Sequence, residues 1–360
     1  MKICFVADGR HINTLSWVRH LSRVLGHEVH VASFSDPPSS PEPVAFHTLG
    51  TRLNTFSRYI LYIPRLKRLL DKLQPDLLVG YRITSYGFMA AATRFHPLVL
   101  AAQSHRLYKG SSLKAHFARY AIRRADLVHA WGPHIAATLI EFGADPSKIL
   151  TLPRGIDTTV FAPPREPLPS RRQCLLMTTR GLNPDYNFDQ ILGALEILKS
   201  RERAFRYMIC GDGAYRDRLT RAVCAAGLGP YVELVGHLSH EELASRLQAA
   251  DIYISTVAWD GVSTSLLEAM ACGVFPIVTD NVANRIWIQD GVNGYLVPYG
   301  DPQTLAERLL AAMDSPELRA SARPINRQLV HSRASINTNM MQFEACWARL
   351  LGVHQHASAT

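Results

Sequence analysis

Residues 250–299 read ADIYISTVAWDGVSTSLLEAMACGVFPIVTDNVANRIWIQDGVNGYLVPY, and their pattern predicts a strand, a helix and a second strand. Residues 252–255 form a short β-branched and aromatic run that is typical of a buried parallel strand. Residues 266–272 favour a helix, Gly273 stands where a helix ends, and residues 275–279 form the second strand. Polar and acidic residues follow the first strand, and ligands bind at this edge of open α/β sheets.

Two carboxylates belong to this unit, one before the helix and one inside it. Asp260 precedes a glycine, so a structural role in a turn is its simplest interpretation. Ser265 and Glu268 have the spacing of a capping box, in which the glutamate bonds back to the helix start. The amino terminus of a helix is also a ready anion site. The residues that the pattern offers for binding an anion there are Ser263, Thr264, Ser265 and Leu266.

The spacing Asp260-x7-Glu268, followed by Met-Ala-Cys-Gly and Pro-Ile-Val, resembles the nucleotide-sugar-dependent glycosyltransferases of family 4. These are retaining enzymes of the GT-B fold, and their signature has a glutamate in the place of Asp260. The resemblance implies that Glu268 holds the ribose of the donor and that Asp260 acts catalytically, in contact with the donor sugar. It also implies that the helix amino terminus, at residues 263–266, binds the departing diphosphate.

The composition limits the class of protein. The 360 residues are enough for two domains, and 47% hydrophobic with 19% charged residues is typical of a globular chain. The six cysteines include no Cys-x-x-Cys pair, which favours reduced thiols in a cytoplasmic protein. Residues 1–10 predict a first strand and not a signal peptide, and no apolar run reaches the roughly 18 residues of a membrane span.

Basic residues are concentrated in the first part of the chain. Residues 1–155 carry 20 Lys and Arg against 9 Asp and Glu, a net charge of +11, while the remaining 19 basic and 21 acidic residues give −2. An excess of positive charge in one half of the chain indicates an anionic partner. Residues 58–73 and 111–124 predict two basic helices, and Pro64 predicts a break in the first. Their basic faces are either solvated surface, the commoner case, or lie on an anionic membrane. No nucleic-acid-binding module is recognised.

Residues 3–33 predict a strand, a turn, a helix and a second strand, as in Rossmann-like domains. The Gly-x-Gly-x-x-Gly fingerprint of a dehydrogenase is missing from the turn. Asn13 stands where a subset of the family often has histidine. Turn and helix-cap chemistry explains Asp8 and Asn13 equally well. After a predicted strand at 98–102, His105 resembles a catalytic histidine that the family places beside the sugar. The loop that the resemblance assigns to the acceptor and the phosphates consists of Asp8, Gly9, Arg10 and Asn13.

The second half of the chain carries the closest resemblance to the family. Arg180 follows a predicted strand at 174–178, in the place where family members bind the diphosphate. Planar, bidentate binding of phosphate suits arginine. The lysine that the family usually has six residues later is replaced by Tyr186. The turn that the resemblance places near the nucleotide base consists of Gly211, Asp212 and Gly213.

Together these features imply an α/β protein of the GT-B fold. The resemblance implies two Rossmann-like domains facing across a cleft and a C-terminal helix that crosses back to the first domain. We expect an acceptor-binding domain at 1–162 and a proline-rich linker at 163–172. A nucleotide-sugar-binding domain is expected at 173–334, and the crossover helix and tail at 335–360.

The implied reaction transfers a sugar, with retention of anomeric configuration, from a nucleotide diphosphate donor to an acceptor hydroxyl. We expect a UDP- or GDP-sugar as co-substrate, no other cofactor and no metal, because the chain has no Asp-x-Asp sequence. The acceptor would be a glycan, a lipid-linked glycan or a small molecule, in the synthesis of a cell-surface polysaccharide, a glycolipid or a natural product. The expected location is cytoplasmic, peripheral on the inner face of the cell membrane, without nucleic acid. A GT-B epimerase, which would share the fold and the donor, is one alternative. A non-catalytic nucleotide-sugar-binding subunit is the other, since Asp260 and Tyr186 depart from the family pattern.

Overall fold

The computed structural model describes most of the chain, in five stretches: residues 1–37, 43–50, 56–103, 113–164 and 172–358. The chain divides into two compact units. Met1–Pro153 and Asn339–Thr360 form the first unit, and Arg154–Thr338 forms the second. Two Rossmann-like parallel sheets, one in each unit, agree with the predicted fold class.

Within the described residues, the first unit holds a seven-stranded parallel sheet in the order β3-β2-β1-β4-β5-β6-β7. Most of its strands are buried and apolar, as expected for a parallel sheet with helices on both faces. The strands are β1 Lys2–Val6, β2 Glu28–Ser33, β3 Ala45–Thr48, β4 Leu77–Tyr81, β5 Leu98–Ala102, β6 Leu127–Ala130 and β7 Ile149–Thr151. The helices are α1 Ile12–Arg23, α2 Arg58–Leu61, α3 Ile63–Leu73, α4 Tyr86–Ala92, α5 Leu113–Arg124 and α6 Pro133–Glu141. Pro64 lies in the first turn of α3, so the predicted break in the basic helix is confirmed.

The described part of the second unit carries a six-stranded parallel sheet in the order β10-β9-β8-β11-β12-β13. The strands are β8 Cys174–Thr178, β9 Phe205–Ile209, β10 Val232–Leu234, β11 Ile252–Ser255, β12 Phe275–Thr279 and β13 Tyr295–Val297. The helices are α7 Phe188–Ser200, α8 Arg216–Ala225, α9 His240–Ala249, α10 Thr264–Ala271, α11 Pro302–Asp314 and α12 Pro316–Ala334. The strand order reverses between β8 and β11, which makes their carboxyl ends the switch point of the sheet.

Side chains from the two faces of the second sheet form two separate cores. Along β8, Leu176 belongs to one core and Met177 to the other, because successive side chains of a strand point to opposite faces. Along β11, Ile254 and Tyr253 divide in the same way. Helix α10 packs into the second core, and Gly273 ends it with a φ of +82°, as the sequence predicts. The strand–helix–strand segment β11-α10-β12 thus contributes to both cores of the unit.

The last helix, α13 Ile336–Ser358, returns to the first unit from Asn339 onward. Phe343 packs against Trp17 and His129, with ring centroids 4.9 and 4.2 Å away. Asn339 donates its side-chain amide to the carbonyl oxygen of Pro153 at 2.9 Å. The predicted crossover helix is therefore confirmed.

Three strands, β3, β7 and β13, were not predicted from the sequence, and one domain boundary differs. Strand β3 is short and half-exposed, so its residues lack the apolar run of a buried strand. Strands β7 and β13 have three residues each, too few to show the alternation of buried and exposed side chains along a strand. The units divide between Pro153 and Arg154, whereas the sequence prediction ended the first domain at residue 162. Among the described residues, no helix is both long and apolar enough to traverse a bilayer.

Candidate functional site

Two loops of the second unit begin side by side at the switch point. Strands β8 and β11 pair in parallel, with Leu176 opposite Ile252 and Met177 opposite Tyr253. The loop after Thr178 and the loop after β11 therefore leave the sheet at the same edge. This is the edge at which open α/β sheets bind ligands, and it brings together side chains from distant parts of the chain.

Arg180, on the loop after β8, is held by three oxygen atoms. Its Nε donates to the Oγ of Ser255 at 3.1 Å, and its Nη2 donates to the Oγ of Ser263 at 2.7 Å. Nη2 also donates to the carboxylate of Asp260, and the two side chains, 10% and 17% exposed, form an ion pair. Three residues that the sequence analysis selected, Arg180, Asp260 and Ser263, are thus in direct contact. Ser255 was not predicted, although a polar residue at the end of a buried apolar strand could have indicated it.

The charge of Arg180 is stabilised inside the protein. Burial alone would lower the pKa of Arg180, but the charge and hydrogen bond of the Asp260 carboxylate, together with Tyr253, raise the pKa above its ordinary value. The Tyr186 ring, whose centroid lies 5.1 Å from the Arg180 Cζ, acts in the same direction. A buried cation without such partners would be costly, so Arg180 is a permanent, oriented positive charge at the switch point.

The start of α10 differs from the sequence prediction by two residues. Ser263 is the N-cap, and its Oγ accepts the backbone N–H of Leu266 at 3.3 Å. The interpretation of Ser265 and Glu268 as a capping box is therefore wrong, because Thr264 and Ser265 already lie in the first turn. The side chain of Leu266 is fully buried and its amide is used by the cap. Glu268 is left without the structural role that competed with a binding role.

Glu268 is a buried carboxylate inside α10, 8% exposed. Burial raises its pKa to about 7, while the positive charges of Arg154 and Arg180 act in the opposite direction. Arg154 was missed by the sequence analysis. It is buried and precedes Gly155, whose φ of +87° and close approach to Ile336 mark an unusual backbone. The site thus contains an ionisable carboxylate in the electrostatic field of two arginines.

The turn Gly211-Asp212-Gly213 packs against the Arg180 loop. The backbone N–H of Leu182 donates to the carbonyl oxygen of Asp212 at 2.9 Å. A Cβ atom on Gly211 would lie 2.1 Å from the carbonyl oxygen of Arg180, and one on Gly213 would lie 2.3 Å from that of Leu182. Both glycines are therefore required for the backbone of the turn to approach the loop.

Models of protein families match the two halves of the chain. The model described as "Glycosyltransferase Family 4" matches residues 10–160, and that of "Glycosyl transferases group 1" matches residues 163–329. The chain belongs to the group 1 glycosyltransferases. The family membership inferred from residues 250–299 is thereby confirmed.

Relatives of this group 1 family member include bacterial biosynthetic proteins. The putative colanic acid biosynthesis glycosyltransferase WcaL of Escherichia coli (strain K12) is 29% identical over 222 residues, 58% of this chain and 53% of the relative. The chain spans about half the length of the curated relatives it matches. Anabaena HepE, solved in complex with UDP, has a TM-score of 0.82 at 16% identity and covers 97% of this chain and 100% of its own. Sucrose-phosphate synthase from Thermosynechococcus elongatus has a TM-score of 0.84 at 17% identity, covering 98% and 99%. These structures show a shared GT-B fold.

In the first unit of this group 1 protein, Asp8 and Gly9 form the turn after β1. The Oδ1 of Asp8 accepts the backbone N–H of Arg10 at 3.1 Å and the hydroxyl of Ser35 at 2.8 Å. The N–H of Gly9 donates to the Oγ of Ser33 at 2.9 Å. Asp8 therefore has the turn chemistry that the sequence analysis allowed as its structural interpretation.

The remaining predicted residues of this loop have local partners. Arg10 is bonded to Asp36, through Nε to the carbonyl oxygen at 3.2 Å and through Nη2 to the carboxylate at 3.3 Å. Helix α1 is capped by His11, whose Nδ1 accepts the backbone N–H of Asn13 at 3.2 Å, so Asn13 is not the cap. His105 lies outside the described residues. No group of three or more His, Cys, Asp and Glu side chains in the described stretches is placed to hold a metal ion.

Proposed function

We propose that the protein transfers a sugar from a nucleotide diphosphate sugar to an acceptor hydroxyl. The observation that carries this proposal is the buried Arg180, fixed by Ser255, Ser263 and Asp260 at the switch point, beside the amino terminus of α10. A planar cation and a helix amino terminus at one edge suit the two negative charges of a departing diphosphate. Such preorganised charge is usually the largest single contribution to catalysis.

The proposed reaction breaks the bond between the anomeric carbon and the diphosphate oxygen and forms a bond from the acceptor oxygen to the same carbon. We propose that the configuration is retained and that the leaving phosphate takes the acceptor's proton, so that no protein base is needed. Arg180 stabilises the charge that develops on the diphosphate. Asp260 contacts the hydroxyls of the donor sugar, and His105 remains a predicted second contact to the sugar.

Glu268 and the glycine turn are proposed to bind the nucleoside. A carboxylate accepts hydrogen bonds from the two ribose hydroxyls, and these bonds are stronger when the carboxylate is ionised. The predicted position of Gly211, Asp212 and Gly213 is beside the base. The predicted loop of Asp8, Gly9, Arg10 and Asn13 is assigned to the acceptor and the phosphates.

We propose a UDP-sugar as the first donor to test, with a GDP-sugar as the alternative. HepE structures contain UDP and UDP-glucose, which supports the choice of UDP. The name of WcaL, from colanic acid biosynthesis, supports an acceptor in the synthesis of a cell-surface polysaccharide or glycolipid. We propose a metal-independent reaction, because Arg180 and the helix terminus supply the positive charge. Activity should survive EDTA, and a full loss restored by Mn²⁺ or Mg²⁺ would contradict this assignment.

A membrane surface is proposed as a second partner. Helix α3 exposes Arg65, Lys67 and Arg68, and the neighbouring helix α2 exposes Ile60 and Leu61, which are 43% and 62% accessible. Basic side chains next to exposed apolar ones suit an anionic headgroup region. We propose a cytoplasmic protein that binds the inner face of the cell membrane reversibly, where a lipid-linked acceptor would be available.

The experiment that tests the reaction is a screen of UDP- and GDP-sugars, with released nucleotide and glycosylated product measured by mass spectrometry. Product formation with a defined donor supports the proposal. A free epimer in a donor-only assay would identify an epimerase instead. Saturable binding of a nucleotide sugar without turnover on any polysaccharide or lipid acceptor would identify a binding subunit.

A further inference from the structure

The guanidinium of Arg180 lies over the ring of Tyr186. The Cζ of Arg180 is 5.1 Å from the ring centroid, within the range at which an aromatic face attracts a cation. The polar edge of the same guanidinium is bonded to Ser255, Ser263 and Asp260. The guanidinium of Arg180 thus contacts an aromatic ring as well as the three oxygen atoms at its edge.

The backbone at Tyr186 is anchored to the strand that carries the rest of the site. Tyr186 ends a short 3-10 helix, Pro184–Tyr186, and Asn187 follows it with a φ of +47°. The hydroxyl of Thr256, buried directly after β11, is shared between the carbonyl oxygens of Tyr186 at 2.9 Å and Asn187 at 3.1 Å. The backbone at Tyr186 is therefore tied to the end of β11, and its half-buried ring packs against the core on one face of the sheet.

Tyr186 also stands where the family resemblance leads us to expect a lysine. A lysine would add a mobile point charge to the site, whereas a tyrosine adds no charge. An aromatic ring in contact with the guanidinium instead limits its rotation, so that less side-chain entropy is lost when the guanidinium binds phosphate. The lysine would add a second cation to the site, whereas the tyrosine orients the cation that is already there, Arg180.

We propose that Tyr186 is a positioning residue that orients Arg180 for the diphosphate of the donor. The inference rests on the proposed function and assigns the diphosphate specificity of its site to one oriented cation. It follows that Tyr186 contributes to the binding of the diphosphate group and not to that of the nucleoside. The ring, and not the hydroxyl group, carries the effect.

The test compares Tyr186→Leu and Tyr186→Phe with the wild-type protein. Affinity for UDP is measured by calorimetry and that for uridine by competition, with GDP and guanosine in parallel. Tyr186→Leu should bind UDP about tenfold more weakly, the size expected for a desolvated stack, with the affinity for uridine unchanged. Tyr186→Phe should behave as the wild type. Tyr295→Leu is the matched control, because it removes a stack with Arg308, at 4.7 Å, elsewhere in the same unit.

Thermal unfolding of each variant is measured first, and Tyr186→Met replaces Tyr186→Leu if the latter is unfolded. Equal losses for UDP and uridine, or a loss in Tyr186→Phe as large as in Tyr186→Leu, would overturn the inference. So would unchanged UDP affinity in a folded leucine or methionine variant. If the wild-type protein itself binds neither nucleotide, the proposed function fails with it, so the two failures are distinguishable.

Discussion

Arg180 and Asp260 lie 80 residues apart in the chain and form an ion pair at the carboxyl ends of β8 and β11. The Nη2 of Arg180 that donates to Asp260 also donates to Ser263, the N-cap of α10. Both N–H groups of Nη2 are thus used by acceptors of this chain. A diphosphate that binds the same edge of the guanidinium must compete with the Asp260 carboxylate.

Replacing Asp260 by asparagine should separate binding from turnover. Asp260→Asn keeps an oxygen acceptor but removes the negative charge that competes with phosphate for Arg180. We expect UDP to bind at least as tightly as to the wild type, while the rate of transfer falls about 100-fold or more, the size seen when one polar contact to a transition state is lost. Calorimetry and a steady-state assay measure the two effects. A parallel fall in UDP affinity and rate would show that Asp260 supports Arg180 and does not compete for it.

The pKa of Glu268 predicts how nucleotide binding depends on pH. In the folded protein its pKa is about 7, and burial is the main cause. The ionised carboxylate is the stronger acceptor for ribose hydroxyls, so the affinity for UDP should rise between about pH 6 and pH 8. Glu268→Gln should bind more weakly at pH 8 and lose this pH dependence. Glu196→Gln, on the exposed side of α7, is the control and should keep the wild-type profile. A pH profile that is identical in Glu268→Gln and the wild type would contradict the ribose assignment.

The ionisation of Glu268 should also affect the stability of the protein. As the pH rises, the free energy of unfolding should fall, whereas the affinity for UDP should rise. The folded pKa of about 7 exceeds the ordinary value of 4.5, so the folded state binds the proton more tightly than the unfolded chain. The stabilisation from this protonation is fully present below about pH 4.5 and is lost as the pH rises to 7. Across this window the free energy of unfolding of the wild type should fall relative to that of Glu268→Gln, as measured by urea denaturation. An equal pH dependence in both proteins would show that Glu268 does not have a raised pKa.

A methyl group at Gly211 should disrupt the site. The added Cβ would lie 2.1 Å from the carbonyl oxygen of Arg180, which backbone atoms cannot accommodate without moving the loop. Gly211→Ala should lower the free energy of unfolding by about 2–4 kcal/mol and weaken nucleotide binding. Gly229→Ala is the control, since a Cβ there meets no atom within 4 Å. Urea denaturation that gives the two variants the same stability would refute the close packing of this turn.

Local patterns are sufficient to predict β8, β11 and α10. A short apolar run indicates each strand, and helix-forming residues followed by a glycine indicate the helix, so each signal lies within a few residues. The placement of Arg180 at a strand end is predicted for the same reason. The N-cap is less certain from the sequence, since three consecutive residues, 263–265, are all of capping type. Only the backbone geometry selects Ser263.

The partners of the site residues depend on distances that no local pattern contains. The bond from Arg180 to Ser255 joins residues 75 apart in the chain, and it forms because β8 and β11 are neighbours in the sheet. The positive charge of Arg154 acts to lower the pKa of Glu268, although the two residues are 114 positions apart in the sequence. The burial that raises the pKa of Glu268 is likewise a property of packing, whereas the sequence alone suggested a capping-box residue.

The membrane proposal predicts salt-sensitive binding to anionic vesicles. Replacing Arg65, Lys67 and Arg68 by serine should reduce co-sedimentation at low salt, because each basic residue near an anionic surface contributes about 1 kcal/mol. The control replaces three exposed arginines of the second unit, Arg201, Arg221 and Arg327, with the same change in charge. Equal reduction in the two triple variants would indicate a general charge effect. Equal recovery of the wild type in the supernatant with neutral and anionic vesicles would exclude this surface.

The most direct test of the account is a calorimetric titration of the wild-type protein and Arg180→Gln with UDP, and with GDP in parallel. The thermal unfolding curve of the variant establishes that it is folded. We predict saturable binding of one of the two nucleotides at one site in the wild type, and at least about tenfold weaker binding in the variant, since a charge-assisted bond to phosphate is lost. Equal affinity of the folded variant and the wild type for that nucleotide, or binding of neither nucleotide by the wild type, would contradict the claim that Arg180 holds the donor's diphosphate.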